Sequence, residues 1–403
     1  MQQGRPAKNL SLYLAALVMD TAFFAALATL PFFVKRAGVL YFSDAVLGLL
    51  LAVCGLAYSV GAILLPRLLA GFDPVHSTRC CGALGGLLFF VASYVTDPLL
   101  VFLTLGLGRA ALGGFWPTLM AMVGAGAVGD LGARIARFNT WWGSGKAVAF
   151  LVCGSLLDVT GDSAVTLRVA AAVMALAVLF VRSAAIATNV SAAMASVTEG
   201  AIGTHRLQDH ESRAASSRVF VTALVAVGLG ATIAAIWESQ FPKGLGVLRF
   251  GSSFGTRYEL GVNALLFSLY GGQALCFFVL RAWRAWPQSR SLLPGATLLL
   301  VIGQGLAVLV PTAAACALGL ALSGVAFGCY FSKSLWLAQS GRHDAARRSG
   351  IHESALSIGA VIGPPLAGLT AVVSGRLELP FYAALALAGL TLVVVCRRLS
   401  VER

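Results

Sequence analysis

Twelve apolar stretches, each long enough to cross a bilayer, fill this chain almost end to end, and a single polar stretch from about Arg182 to Arg218 divides them six and six. A spanning helix takes about 20 mainly apolar residues to cross a hydrocarbon core of about 30 Å. Twelve of them claim the larger part of the 403 residues and leave only short connections. The apolar runs are continuous rather than alternating over about 10 residues, so a closed barrel is excluded and helices remain as the spanning element. The expected class is an all-α membrane protein of twelve transmembrane helices in two pseudo-symmetric six-helix bundles.

Composition agrees. With 58% hydrophobic and 11% charged residues and a mean hydropathy of +0.86, the chain has too little polar surface to cover a water-soluble globule. Breaks at Gly, Pro and charge place the spans near 10–33, 44–66, 80–96, 98–124, 136–158 and 162–182, then 217–240, 259–283, 292–311, 312–337, 350–374 and 377–397. The division is therefore 1–182 as the first bundle, 183–216 as a flexible cytosolic linker rich in Ser, Thr, Ala, His and mixed charge, and 217–403 as the second bundle. An internal repeat offset by about 210 residues supports it. Gly108 to Gly114 (GRAALGG) aligns with Gly319 to Val325 (GLALSGV), and the turn before span five (ARIARFN) resembles that before span eleven (ARRSGIH).

The formal net charge of +13 has a topological meaning here, and nucleic acid is not an expected partner. With a cytosolic N-terminus, about 19 Lys and Arg fall in inner loops and tails against about 7 in outer loops, the bias of positive-inside insertion. Arg5 and Lys8 ahead of an apolar run, with Ala26-Leu27-Ala28 beyond, resemble a secretory leader. Asp20 in the middle of that run argues against cleavage, so the first stretch is expected to remain as a span. The eight cysteines show no metal or redox spacing and read as small core residues. No metal or cofactor is expected.

Of the 29 Lys and Arg, Arg109, Lys146 and Lys333 are assigned to spans and the others to loops, tails or span ends. An ionisable group in hydrocarbon is costly, so it should face the bundle interior, find a partner, or mark a substrate or proton path. Asp20 and Arg109 both lie about 15 Å into their helices, at a rise of 1.5 Å per residue, so a pair between them is geometrically allowed. Either it locks two helices statically or it couples transport to protons. Asn139, Trp142 and Lys146 share one face of span five at i, i+3 and i+7, and such a stripe should look into a cavity. Matching stripes are Asn263, Tyr270 and Gln273 in span eight and Ser323, Tyr330 and Lys333 in span ten. Trp116 shares the face of Arg109 in span four. For the aromatics, plain packing is the competing role, and for Lys333 snorkelling to the interface. His352 and Glu353 open span eleven, where they either gate the cytosolic end or cap the helix. Trp237 and Glu238, near the outer end of span seven, read as part of the interfacial belt.

The chain resembles the major facilitator superfamily over nearly its whole length: six plus six helices, a cytosolic middle linker, both ends inside. The run Leu105 to Gly114, with Arg109 followed four residues later by Gly113, is similar to that superfamily's fourth-helix motif, in which the resemblance assigns the Arg to proton transfer. The loop Leu68 to Arg79 resembles its Gly-x-x-x-Asp-x-x-Gly-Arg-Arg signature, which implies that Asp73 and Arg79 clamp helices in one state. Span five lacks the Gly-Pro motif of the drug antiporters, and Gly363-Pro364 stands instead in span eleven. Neither span one nor span seven carries the Arg that organophosphate exchangers use.

The function expected is secondary active transport, the proton-coupled movement of a small anionic or zwitterionic organic solute by alternating access between two rocking bundles. The lean toward negative charge rests on the in-span cations outnumbering the acids near them. Efflux of hydrophobic compounds is the second reading and a non-transporting sensor that depends on the linker the third. A membrane enzyme is not expected, because His76, His205, His210, His343 and His352 all fall in or beside cytosolic loops without a catalytic arrangement. The partners expected are a small-molecule substrate, a proton or other coupling ion, and membrane lipids, and the expected state is a monomer in a bacterial inner membrane.

Overall fold

The computed structural model describes residues 10–34, 40–124, 131–182, 208–243, 245–340 and 345–400. Residues 183–207, most of the expected linker, lie outside the described residues, as do His205 and His343. Among the described residues twelve helices are long and apolar enough to cross a membrane, and none of those residues is in a strand. They are α1 (Leu10–Phe33), α2 (Asp44–Leu68), α3 (Pro74–Ala92), α4 (Pro98–Gly124), α5 (Leu131–Thr160), α6 (Ser163–Ala177, continued by a 3-10 turn), α7 (Gln208–Gln240), α8 (Tyr258–Ala282), α9 (Leu292–Leu309), α10 (Ala313–Gln339), α11 (Ala345–Ser374) and α12 (Leu379–Ser400). A short helix, Leu245–Phe254, precedes α8.

Several helices outrun their apolar cores. α3, α5, α7 and α11 begin five to nine residues before the expected spans, because polar first turns such as that holding Arg347 and Arg348 continue the helix into the interface, where hydropathy no longer marks it. Starts are fixed by caps: Asp73 accepts from the His76 amide at 3.0 Å, Asp162 from Ala164 at 2.8 Å, and Thr312 from Ala315 at 3.2 Å, each satisfying an otherwise orphaned amide.

Helix neighbours repeat with an offset of six. In the first six, α1 packs on α5 and α6, α2 on α4, and α3 on α4 and α6; in the last six, α7 packs on α11 and α12, α8 on α10, and α9 on α10 and α12. Two antiparallel seams join these sets, α2 with α11 and α5 with α8. Along the first seam Gly48 meets Pro364, Gly55 meets Ala360 and Gly350 meets Ala62; along the second Gly154 meets Leu260 and Gly143 meets Phe277. Small residues let the backbones approach closely, and Ser357 then donates to the Gly55 carbonyl at 2.7 Å. Large apolar side chains such as Leu56, Leu103, Phe278 and Val373 face outward, as lipid-facing residues must in an integral, multi-pass membrane protein.

Candidate functional site: the cavity between the two helix sets

α1, α2, α4 and α5 face α7, α8, α10 and α11 across a cavity of about 120 Å3. That is close to the roughly 150 Å3 in which a protein interior admits one benzene ring. The first set contributes Asp20, Tyr58, Arg109, Trp116, Trp142 and Lys146; the second contributes Glu238, Tyr270, Gln273, Tyr330 and Glu353. A smaller space shares Arg109 and Glu238 and runs on past Asn263 to Pro31, Pro242 and Pro364, toward the face opposite the chain termini. At the terminus face the helix ends are tied together. Gln339 of α10 donates to the Met120 carbonyl of α4 at 3.3 Å, and Arg134 donates to the Gly124 carbonyl at 3.2 Å.

The cations are held mainly by rings. Lys146 Nζ lies 3.9 Å from the ring centroids of both Phe24 and Tyr270 and 5.9 Å from Trp142, and it stands 4.0 Å from Glu238 Oε1. The Arg109 guanidinium sits 4.6 Å from the Phe23 ring and 4.7 Å from Tyr58. Cation–π contacts of this kind strengthen when desolvated. Trp142 stacks on Phe331 at 4.5 Å, so α5 and α10 meet ring to ring on one wall.

Asp20 and Arg109 both line the cavity, but no ion pair joins them. Asp20 is fully buried, the Trp142 side chain lies beside it outside ideal hydrogen-bond geometry, and its charged neighbours are Lys146 and Glu353. Trp116, Trp142, Lys146, Tyr270, Gln273 and Tyr330 are brought together around the cavity. Asn139 is not; it donates to Ser332 Oγ at 3.2 Å, bridging α5 to α10. Asn263 borders the outer space and donates to the Glu259 carbonyl. Lys333 stays out of the cavity: its ammonium bonds the Pro287 carbonyl in the α8–α9 turn and lies 5.6 Å from the Trp336 ring. Ser323 accepts from Gln304 at 2.9 Å.

Asp73 and Arg79 make no clamp with each other. Asp73 caps α3, and Arg79 Nε donates to the Val181 carbonyl at 2.7 Å. The Asp73 carboxyl, outside the spans, is held below its usual range; its slight burial acts the other way, and hydrogen bonds from the His76 amide and ring outweigh it. His352 and Glu353 neither cap α11 nor lie beside a loop. The helix starts seven residues before His352, which buries both side chains. Glu353 Oε2 accepts from the Tyr58 hydroxyl at 2.5 Å, and His352 Nδ1 pairs with Ser334 Oγ at 2.9 Å.

The sequence pointed away from Glu238 and Trp237. Both read as interfacial; instead Glu238 faces Lys146, and Trp237 is fully buried with its indole donating to Gln304 at 2.9 Å. Tyr58 and Phe24 carried no signal beyond apolar composition. The one available clue was that Glu238 is the sole acid in an otherwise uncharged run from Val219 to Phe241.

No family model matches the sequence, and no curated protein matches it. Solved structures do. The crystal structure of the nucleoside transporter NupG superposes with a TM-score of 0.67 at 16% identity, covering 98% of this chain and 99% of that one. A bacterial homologue of the human lysosomal transporter Spinster, inward-facing and unoccupied, gives 0.64 at 13% identity, covering 98% of each chain. Twelve membrane-length helices superposing on both transporters over nearly the full chain give the protein the major facilitator fold.

Proposed function

We propose that the protein is a secondary transporter that moves a small polar organic solute by alternating access, the two six-helix sets rocking about the cavity. One observation carries this reading: charged and aromatic side chains of both sets converge on a single cavity between them, with a smaller space sharing Arg109 and Glu238 beside it. Three carboxyl groups, Asp20, Glu238 and Glu353, stand against two cations, Arg109 and Lys146. The premise for an anionic solute therefore falls away, and a zwitterionic or neutral polar one is favoured.

Proton coupling belongs to the same proposal. A carboxyl whose surroundings alternate between dry and wet takes up and releases a proton as they change, and Asp20, fully buried at the cavity wall beside Lys146 and Glu353, is the group to do it. The excess of basic residues in one set of loops supports cytosolic termini, and the Arg-rich, Ala- and Gly-rich composition is consistent with a bacterial inner membrane. The test is uptake into proteoliposomes from a panel of labelled polar metabolites, with and without a pH gradient. Saturable uptake by none of them removes the transporter reading.

A second reading has its own observation. The stacked Trp142 and Phe331 rings offer a wall for a flat heterocycle, and one of the similar structures is a nucleoside transporter. Nucleosides therefore belong in the uptake panel.

A further inference from the structure

The Lys146–Glu238 pair points to the chemistry of the solute, an inference that deepens the transporter reading and rests on it. The two groups come from opposite helix sets, Lys146 from α5 and Glu238 from α7, and both reach into the cavity. Their separation of 4.0 Å is well beyond the roughly 2.7–2.9 Å of a charge-assisted hydrogen bond. Among the described residues neither makes a hydrogen bond to the protein. An ammonium has three protons to donate and a carboxylate about four lone-pair sites, so most of the capacity on each side is unused and turned toward the space between the helix sets.

We infer that the transported solute is a small zwitterion with its ammonium and carboxylate on neighbouring atoms, an α-amino acid or near analogue. Its carboxylate docks on Lys146 and its ammonium on Glu238. A lone anion taking Lys146 leaves Glu238 with Arg109 as its remaining counter-charge, and a lone cation taking Glu238 leaves Lys146 with Asp20 and Glu353, so either one gives up the nearest opposite charge of a poorly solvated group. A zwitterion satisfies both. The Phe24 and Tyr270 rings, each 3.9 Å from Nζ, keep the ammonium in place while its carboxylate partner is exchanged. With about 120 Å3 available in this state, the side group is small.

The test uses the full-length protein, with the fluorescence of the cavity residues Trp116 and Trp142 reporting occupancy. The probes are the free α-amino acids, their methyl esters, which keep only the cation, their N-acetyl forms, which keep only the anion, and a neutral nucleoside. At least one free amino acid is expected to bind at least about tenfold more tightly than either of its capped forms. Lys146→Met and Glu238→Gln are each expected to remove that preference, and Lys146→Glu combined with Glu238→Lys to restore part of it; a melting curve for each variant separates lost binding from lost folding. Equal binding by free and capped forms, binding by the nucleoside alone, or no binding by any free amino acid overturns the zwitterion assignment. Uptake of a nucleoside would then still uphold the transporter reading. Zwitterion binding without flux in proteoliposomes overturns the transporter reading and leaves the assignment standing.

Discussion

The Tyr58 hydroxyl of α2 donates a hydrogen bond of 2.5 Å to Glu353 Oε2 of α11, joining the two six-helix sets beside Arg109, whose guanidinium rests on the same tyrosine ring. The bond sits within a seam that Ser357 and Ser354 also hold through the Gly55 and Ser59 carbonyls. A carboxyl group at the wall of the cavity is thus tied directly to the seam between the two sets.

Tyr58→Phe removes the donor and leaves the acceptor buried. An orphaned buried polar group costs about 1–3 kcal/mol, so the unfolding midpoint of the purified variant is expected to fall. Glu353→Gln keeps an acceptor for the hydroxyl and is expected to lose less. Equal midpoints for wild type and Tyr58→Phe would show that the bond contributes nothing to the resting state.

The two lysines that sequence treated alike should separate. Lys333 ties α10 to the α8–α9 turn through the Pro287 carbonyl and does not line the cavity, so Lys333→Met is expected to lower stability and leave solute affinity unchanged. Lys146→Met is expected to weaken binding at least about tenfold. Binding titrations beside melting curves for both variants decide it, and a loss of affinity in Lys333→Met would contradict the placement.

Asp20→Asn keeps the size of the side chain and removes its titration. In proteoliposomes the expected result is that solute counterflow persists while the response of net uptake to an imposed pH gradient is lost. An undiminished response would assign the coupling elsewhere, Glu353 being the next group to test.

Close helix approach should be intolerant at one glycine and indifferent at another. A Cβ at Gly324 would overlap the Leu269 carbonyl oxygen across the α8–α10 contact, whereas one at Gly389 meets nothing within 4 Å. Gly324→Ala is expected to abolish folded protein in detergent. Gly389→Ala, inside α12, is expected to be neutral or to stabilise by up to about 1 kcal/mol through helix propensity. Size-exclusion profiles of the two variants make the comparison.

Trp142→Ala opens a void against Phe331 and Trp116; emptying a buried tryptophan site costs about 3–5 kcal/mol. Trp142→Phe retains a ring against Phe331 and is expected to recover most of the stability and of the uptake rate. If both variants transport as wild type does, the stack has no part in the site.

Reading the chain alone was enough for the twelve spans and the all-helical class, because hydrocarbon demands long apolar helices and each leaves its length in the sequence. It also singled out Asp20, Arg109 and Lys146, since a charge inside an apolar run is visible without coordinates. What no run of residues reveals is how far each helix is rotated about its own axis. Lys333 and Lys146 both sit within apolar helices, yet one turns to a loop carbonyl and the other to Glu238, which lies 92 positions further along the chain. Glu238 near the end of α7, and His352 and Glu353 near the start of α11, looked like interface residues because hydropathy measures depth along a helix; only the packing of α2 on α11 and of α5 on α8 decided that their side chains point inward, where opposite faces from distant segments meet.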